Sequence, residues 1–152
     1  MSAALRSVDV WAFQERLTRR LAAWAFVSLL SGLGMLLLRL PFWTGMAFQF
    51  LGWAAVNLGI AWIGAWAARR RKAGLSAEQV ISTQPQERRK LERILWINTG
   101  LDVLYMLGGV LVAVFLAGRG PQWIGTGIGI LLQGTFLFFF DWIHALTLRK
   151  SA

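Results

Sequence analysis

The sequence predicts an all-α fold: a four-transmembrane-helix bundle of two antiparallel hairpins, with an amphipathic N-terminal helix. The first observation is composition, since 57% of the 152 residues are hydrophobic, only 15% are charged and the mean hydropathy is +0.54. Soluble domains carry about 25% charged residues. The second is that four apolar segments each reach the roughly 20 residues that a helix needs to cross a bilayer. The third is that the basic residues cluster between and around these segments.

The chain begins with an amphipathic segment, which we predict to be helical over about 8–20. Val10, Phe13 and Leu17 recur at three- and four-residue steps, and arginines occupy the other side of the same turns. This spacing places apolar and charged side chains on opposite faces of a helix. Asp9 is the predicted N-cap. Two arrangements stay open: the helix lies on the inner membrane surface, or it extends the first span straight into the cytoplasm.

Four spans follow, and tight connections join them in pairs. Pro41 lies between the first two spans and Pro121 between the last two, which makes each pair an antiparallel hairpin. A cytoplasmic basic loop joins the hairpins. In this loop Ser76 and Gln79 form a capping-box pattern for a short helix, and Pro85 suits the first turn of the next helix. The predicted ranges are 21–40, 44–68, 94–118 and 122–148 for the spans and 69–92 for the loop.

The distribution of positive charge predicts the orientation. Of the 16 Lys and Arg, four precede the first span, eight lie between the second and third spans and two follow the last span, whereas Arg39 and Arg119 lie in the tight connections. Lys and Arg in short loops stay on the cytoplasmic side. We therefore expect a multi-pass protein of the inner (plasma) membrane with both termini cytoplasmic. Its net charge of +9 indicates contact with anionic lipid head groups and not with nucleic acid.

The few polar side chains inside the spans define the candidate site. Ionisable groups at membrane depth usually face the bundle interior or a water-filled cavity. Asp102 and Asp141 fall at about 13 Å and 12 Å from the nearest cytoplasmic basic residue at helical rise. Helical spacing adds Asn98 to the face of Asp102 and His144 to the face of Asp141. The residues expected to converge on one polar cavity open to the cytoplasm are Asn57, Asn98, Asp102, Tyr105, Gln133, Asp141 and His144.

Three interpretations of this cluster stay open. The polar groups can be structural, with amides and carboxyls bridging neighbouring helices. Asp102 and Asp141 can instead relay a proton or bind a cation in a small coupled transporter. The cluster can also bind a small ligand or a lipid head group, or carry out acid–base chemistry on one. The function we predict is a non-catalytic accessory or ligand-binding component of the membrane, with the transporter as the alternative.

We predict no catalytic residue, no metal site and no cofactor. The chain has no Cys, which removes thiolate ligands and Cys nucleophiles, and its single His belongs to no HxxxH or HExxH motif. Gly125 and Gly129 step by four along the last span, a spacing that lets helices approach closely. They are predicted helix-packing residues, either within the bundle or against a second copy. Besides the bilayer, the partners to expect are another membrane protein or a homodimer.

Two motifs carry a resemblance to a known family. Asn98 and Asp102 form an Asn-x3-Asp pattern in the third span, and Gln133, Asp141 and His144 form a Gln-x7-Asp-x2-His pattern in the fourth. Together with the surrounding residues 52–144, these patterns resemble an uncharacterised family of small bacterial four-helix integral membrane proteins. The resemblance implies a bacterial inner membrane and transfers no activity, since the family has none assigned.

A second, weaker resemblance gives a third functional alternative. The four-helix membrane enzymes of eicosanoid and glutathione metabolism share the length, the basic charge and a polar helix with Arg, Asn and an acidic residue. Arg93, Asn98 and Asp102 are similar to that set. The pattern departs from the family because the acid follows Asn by four residues in the third helix, whereas in the family it follows by three in the second.

Overall fold

The computed structural model describes residues 8–150, and its long elements are all helices. Each of the four longest is apolar enough to cross a membrane, which confirms the predicted four-helix bundle. The elements are α1 (Val10–Leu37), α2 (Pro41–Ala73), α3 (Ala77–Ser82), α4 (Gln84–Phe115), a 3-10 turn (Ala117–Arg119) and α5 (Pro121–Lys150).

The bundle is built from two hairpins that meet along α2 and α5. Helix α1 packs on α2, α4 packs on α5, and α2 packs on α5, whereas α2 and α4 are not closely packed within residues 8–150. The turn between α1 and α2 places Arg39 at φ 53°, and Gly120 lies at φ 126° before α5. Glycine adopts that second conformation without steric cost. The separation of α2 from α4 leaves a groove on one flank of the bundle.

The charges divide the bundle into two ends. We call the end with the two tight connections, at Arg39 and Arg119, the turn end. At the opposite, basic end, Ser76 and Gln79 exchange side-chain hydrogen bonds with each other's backbone N–H, so the capping box is confirmed. The basic end comprises Arg16, Arg19 and Arg20 of α1, residues 69–72 of α2, residues 88–93 of α4 and residues 149–150 of α5.

The amphipathic segment is the first part of α1, and it continues into the span without a break. Asp9 caps it by accepting from the backbone N–H groups of Trp11 and Ala12. Its apolar face packs on protein, because Val10 and Phe13 join a buried cluster with residues of α4 and α5. The continuous helix and its buried face fit the straight extension of the first span, which is one of the two arrangements left open.

Helix α5 approaches α2 closely at the turn end. A Cβ added at Gly45 would collide with the carbonyl oxygen of Gln122, and one added at Gly125 would collide with that of Phe42. Gly129, one turn later, also lies against α2. The small residues at 125 and 129 thus pack within the bundle, which is the first of the two alternatives left open for them.

Candidate functional site: a groove between α2 and α4

A cavity of about 380 Å³ lies in the groove between α2 and α4, and residues of α1 and α5 also line it. This volume falls within the range of about 300–1,000 Å³ that small-molecule sites occupy. Five of the seven predicted site residues line it, namely Asn57, Asn98, Asp102, Tyr105 and Asp141.

Helix α2 contributes a buried amide to the floor of the groove. Asn57 is 1% exposed, because it follows Ala54 and precedes Ala61 on the helix face that packs into the bundle. Neither its Oδ1 nor its Nδ2 has a hydrogen-bond partner within the described part of the chain. A buried polar group left unpaired costs about 1–3 kcal/mol. Asn57 therefore offers one acceptor and one donor group to whatever enters the cavity.

Helices α4 and α5 contribute two carboxyl groups. Asp102 is 4% exposed, and its Oδ2 has no hydrogen-bond partner among residues 8–150. Asn98, one turn earlier, lines the same cavity as Asp141, and the two carboxyl groups are close enough to interact electrostatically. No Lys, Arg or His of the described chain lines the cavity. The site is thus rich in acceptors and has no basic partner.

Two contacts join α2 and α4, one on each side of this cavity along the helix axes. Toward the turn end, the rings of Trp53 and Tyr105 meet edge to face with centroids 5.0 Å apart. At the basic end, Arg71 and Glu87 form an ion pair of 3.3 Å beside a separate cavity of about 180 Å³. No lining residue of the larger cavity comes from the basic end, and its opening toward the cytoplasm stays a prediction.

Gln133 does not line this cavity, contrary to the prediction. Its side chain is fully buried on the α1 side of α5, where it accepts from Trp24 Nε1 at 3.0 Å and donates to Ser28 Oγ at 3.1 Å. The reason is the helical repeat: a step of four residues turns about 40° around the axis. Two steps from Asp141 back to Gln133 rotate the side chain out of the groove.

His144 also lies elsewhere, in a second groove between α1 and α5. Its Nδ1 donates to the carbonyl oxygen of Phe140, which leaves Nε2 to accept from Arg20 Nη1 at 3.2 Å. The α1 partners of His144 and Gln133 were not predicted. The signal was present, because Arg20, Trp24 and Ser28 step by four and so share one face of α1.

Within the described residues no group of three or more His, Asp or Glu side chains lies close enough to hold an ion. The two carboxyls and two amides of the groove are instead suited to accept hydrogen bonds from a bound molecule or to hold a proton.

Comparison with known proteins adds the family but no activity. No curated protein and no solved structure is detectably similar to the chain. A family model matches residues 20–142, which include the four polar residues that line the groove from α2, α4 and α5. The predicted membership of an uncharacterised family is confirmed: the chain belongs to the family of unknown function DUF6992.

Proposed function

We propose that this protein is a non-catalytic ligand-binding component of the membrane, and that its ligand occupies the groove between α2 and α4. The observation that carries the proposal is Asn57, which is 1% exposed and has neither its Oδ1 nor its Nδ2 paired within residues 8–150. A ligand with hydrogen-bonding groups would satisfy this amide and the open Oδ2 of Asp102 together.

The competing interpretation is that these groups only hold helices together. Structural polar groups in membrane bundles pair across helices, with contacts worth about 0.6–2 kcal/mol. Gln133 does this, since both of its polar atoms are paired with α1. Asn57 makes no such contact with the described chain, so a structural role leaves its burial without a compensating interaction. That difference favours ligand binding.

The test removes the amide and follows the bound molecule. Native mass spectrometry of the wild-type protein, extracted in mild detergent, is expected to show a stoichiometric small-molecule adduct. Asn57→Leu should lose the adduct while staying folded, because removing an unpaired buried amide relieves a cost of about 1–3 kcal/mol. Gln49→Leu removes an amide from α2 outside the cavity and should keep the adduct.

Two results would overturn the proposal. One is a wild-type protein that carries no adduct under these conditions. The other is an Asn57→Leu variant with a lower melting temperature than the wild type and an unchanged adduct, which would assign Asn57 to structure.

A second candidate function is proton- or cation-coupled transport. It is favoured by the electrostatic proximity of Asp102 and Asp141 in one cavity, since paired carboxyls at membrane depth mark ion pathways in pumps and transporters. In proteoliposomes, wild-type protein should dissipate an imposed pH gradient faster than Asp102→Asn, with Glu92→Gln as the control on the same helix. Equal dissipation by wild type and Asp102→Asn would exclude this role for Asp102.

A further inference from the structure

The groove is a window in the side of the bundle. Its two sides are α2 and α4, which are not closely packed within residues 8–150, and the Trp53–Tyr105 contact lies at its turn-end side. The polar groups lie at its floor. The gap between α2 and α4 therefore gives access to Asn57 and Asp102 from the side of the bundle.

The rim of this window is apolar and exposed. Val56 and Ile60 of α2 are 49% and 53% exposed, and Leu101 of α4 is 46% exposed, although all three line the cavity. Asn57 lies twelve residues before Arg69, about 18 Å from the basic end at helical rise. When the four helices span a bilayer, a surface at this depth faces acyl chains. A molecule that enters the window must come from the membrane.

The polar groups of the groove are suited to bind a hydrogen-bond donor that carries a positive charge. Asp102 Oδ2 and Asn57 Oδ1 are buried and have no partner within the described chain, and Asp141 adds a second carboxyl group. No basic side chain among residues 8–150 lines the cavity to pair with these carboxyls. Carboxyls at membrane depth pair with a cation where one is available, and an ammonium group supplies three N–H donors and the charge.

We infer that the ligand is an amphiphilic amine, with an ammonium head between Asp102, Asp141 and Asn57 and an apolar tail that leaves through the rim of Val56, Ile60 and Leu101 into the bilayer. This inference rests on the proposed ligand-binding function and names the class of ligand. The occupant enters laterally from the bilayer.

The experiment uses the full-length protein in lipid nanodiscs with three probes. Dodecylamine carries the ammonium and a tail, dodecanol carries the same tail with a neutral head, and propylamine carries the same head with a short chain. A ligand that binds only the native state raises the melting temperature. We expect dodecylamine to raise it by several degrees, and dodecanol and propylamine at equal concentration to leave it unchanged.

Two pairs of variants test the ammonium head and the lateral entry route separately. Asp102→Asn should abolish the shift with dodecylamine, whereas Glu92→Gln, a loss of one carboxylate on α4 outside the cavity, should keep it. Leu101→Trp fills the rim and should also abolish the shift. Leu104→Trp is the matched control, because Leu104 is 63% exposed on the same helix and does not line the cavity.

Each contrary result would contradict a different part of the inference. A shift with propylamine equal to that with dodecylamine would overturn lateral entry while leaving ligand binding in place, and an equal shift with dodecanol would overturn the ammonium head. If no probe raises the melting temperature of the wild type but its natural adduct still depends on Asn57, the amine inference is wrong. The proposed ligand-binding function is kept in that case. A dimer that Leu101→Trp dissociates would make a second copy the occupant.

Discussion

Two buried amides in this bundle, Gln133 and Asn57, differ in whether their hydrogen bonds are made. Gln133 accepts from Trp24 and donates to Ser28, so it joins α5 to α1. Asn57 is equally buried and has neither of its polar atoms paired within the described residues. Because hydrogen-bonded amides stabilise helix contacts in membranes, the first residue belongs to the scaffold and the second is available for binding.

A double-mutant cycle measures the scaffold contact. Trp24→Phe removes the indole N–H and keeps a ring to stack on Phe136, whose centroid lies 3.6 Å from that of Trp24. Gln133→Leu removes the acceptor. We expect a coupling energy between the two changes of about 0.6–1.7 kcal/mol, the range for hydrogen bonds between membrane helices, read from unfolding in mixed detergent micelles.

The control cycle pairs Trp24→Phe with Asn57→Leu, since the indole N–H of Trp24 is bound to Gln133 and not to Asn57. Separate sites add within about 0.3–0.5 kcal/mol. A coupling for the Trp24 and Gln133 pair that is no larger than this would contradict the structural assignment of Gln133.

At the scale of elements, glycines set the distance between α4 and α5. A Cβ added at Gly109 would lie 2.7 Å from the carbonyl oxygen of Gly127, whereas one added at Gly108 would meet nothing within 4 Å. The two glycines are neighbours on one helix, so an Ala at either position brings the same gain in helix propensity. Only their packing differs.

Gly109→Ala should therefore destabilise the protein, and Gly108→Ala should not. Overpacking costs about 1–3 kcal/mol, which exceeds the gain of up to about 1 kcal/mol from replacing a helical glycine by alanine. Thermal unfolding of the two variants in the same detergent makes the comparison. Equal melting temperatures would show that α4 and α5 do not approach as closely as the structure has them.

Helix α1 illustrates what an amphipathic pattern leaves open. The spacing of Val10, Phe13 and Leu17 predicts a buried face, and that face is buried. The pattern does not say whether lipid or protein covers it, because both are apolar neighbours. In the structure, protein covers this face, because Leu91 and Leu95 of α4 and Leu148 of α5 pack against it.

At the scale of the whole molecule, the basic residues within 8–150 lie almost entirely at one end, and among them only Arg39 and Arg119 lie at the other. This asymmetry predicts that the basic end is cytoplasmic. The absence of Cys from the chain makes single-cysteine labelling a direct measurement of orientation.

Ser76→Cys places a thiol in the exposed loop at the basic end, and Gly118→Cys places one in the exposed turn at the other end. In intact cells, a membrane-impermeant maleimide should label Gly118→Cys and not Ser76→Cys. Permeabilised cells are the control, in which both should react. Labelling of Ser76→Cys in intact cells would reverse the orientation.

The candidate site was predictable in part. Asn98 and Asp102 are four residues apart, and helical spacing placed them together on one face of α4; both line the groove. The same reasoning failed for Gln133 and His144, because the angle between residues along α5 accumulates until they face α1. Helical spacing shows which residues share a face, but it does not show which neighbouring helix that face meets.

The sequence by itself determined the four apolar helices, the tight connections, the capped short helix and the charge asymmetry, because length, turn residues and caps act locally along the chain. Only the tertiary structure decided that α2 and α4 are separated and that Asn57 faces the resulting groove without a partner among the described residues. The rotation of each helix about its own axis depends on packing at contacts such as Gly125 against Phe42, which join residues far apart in the chain.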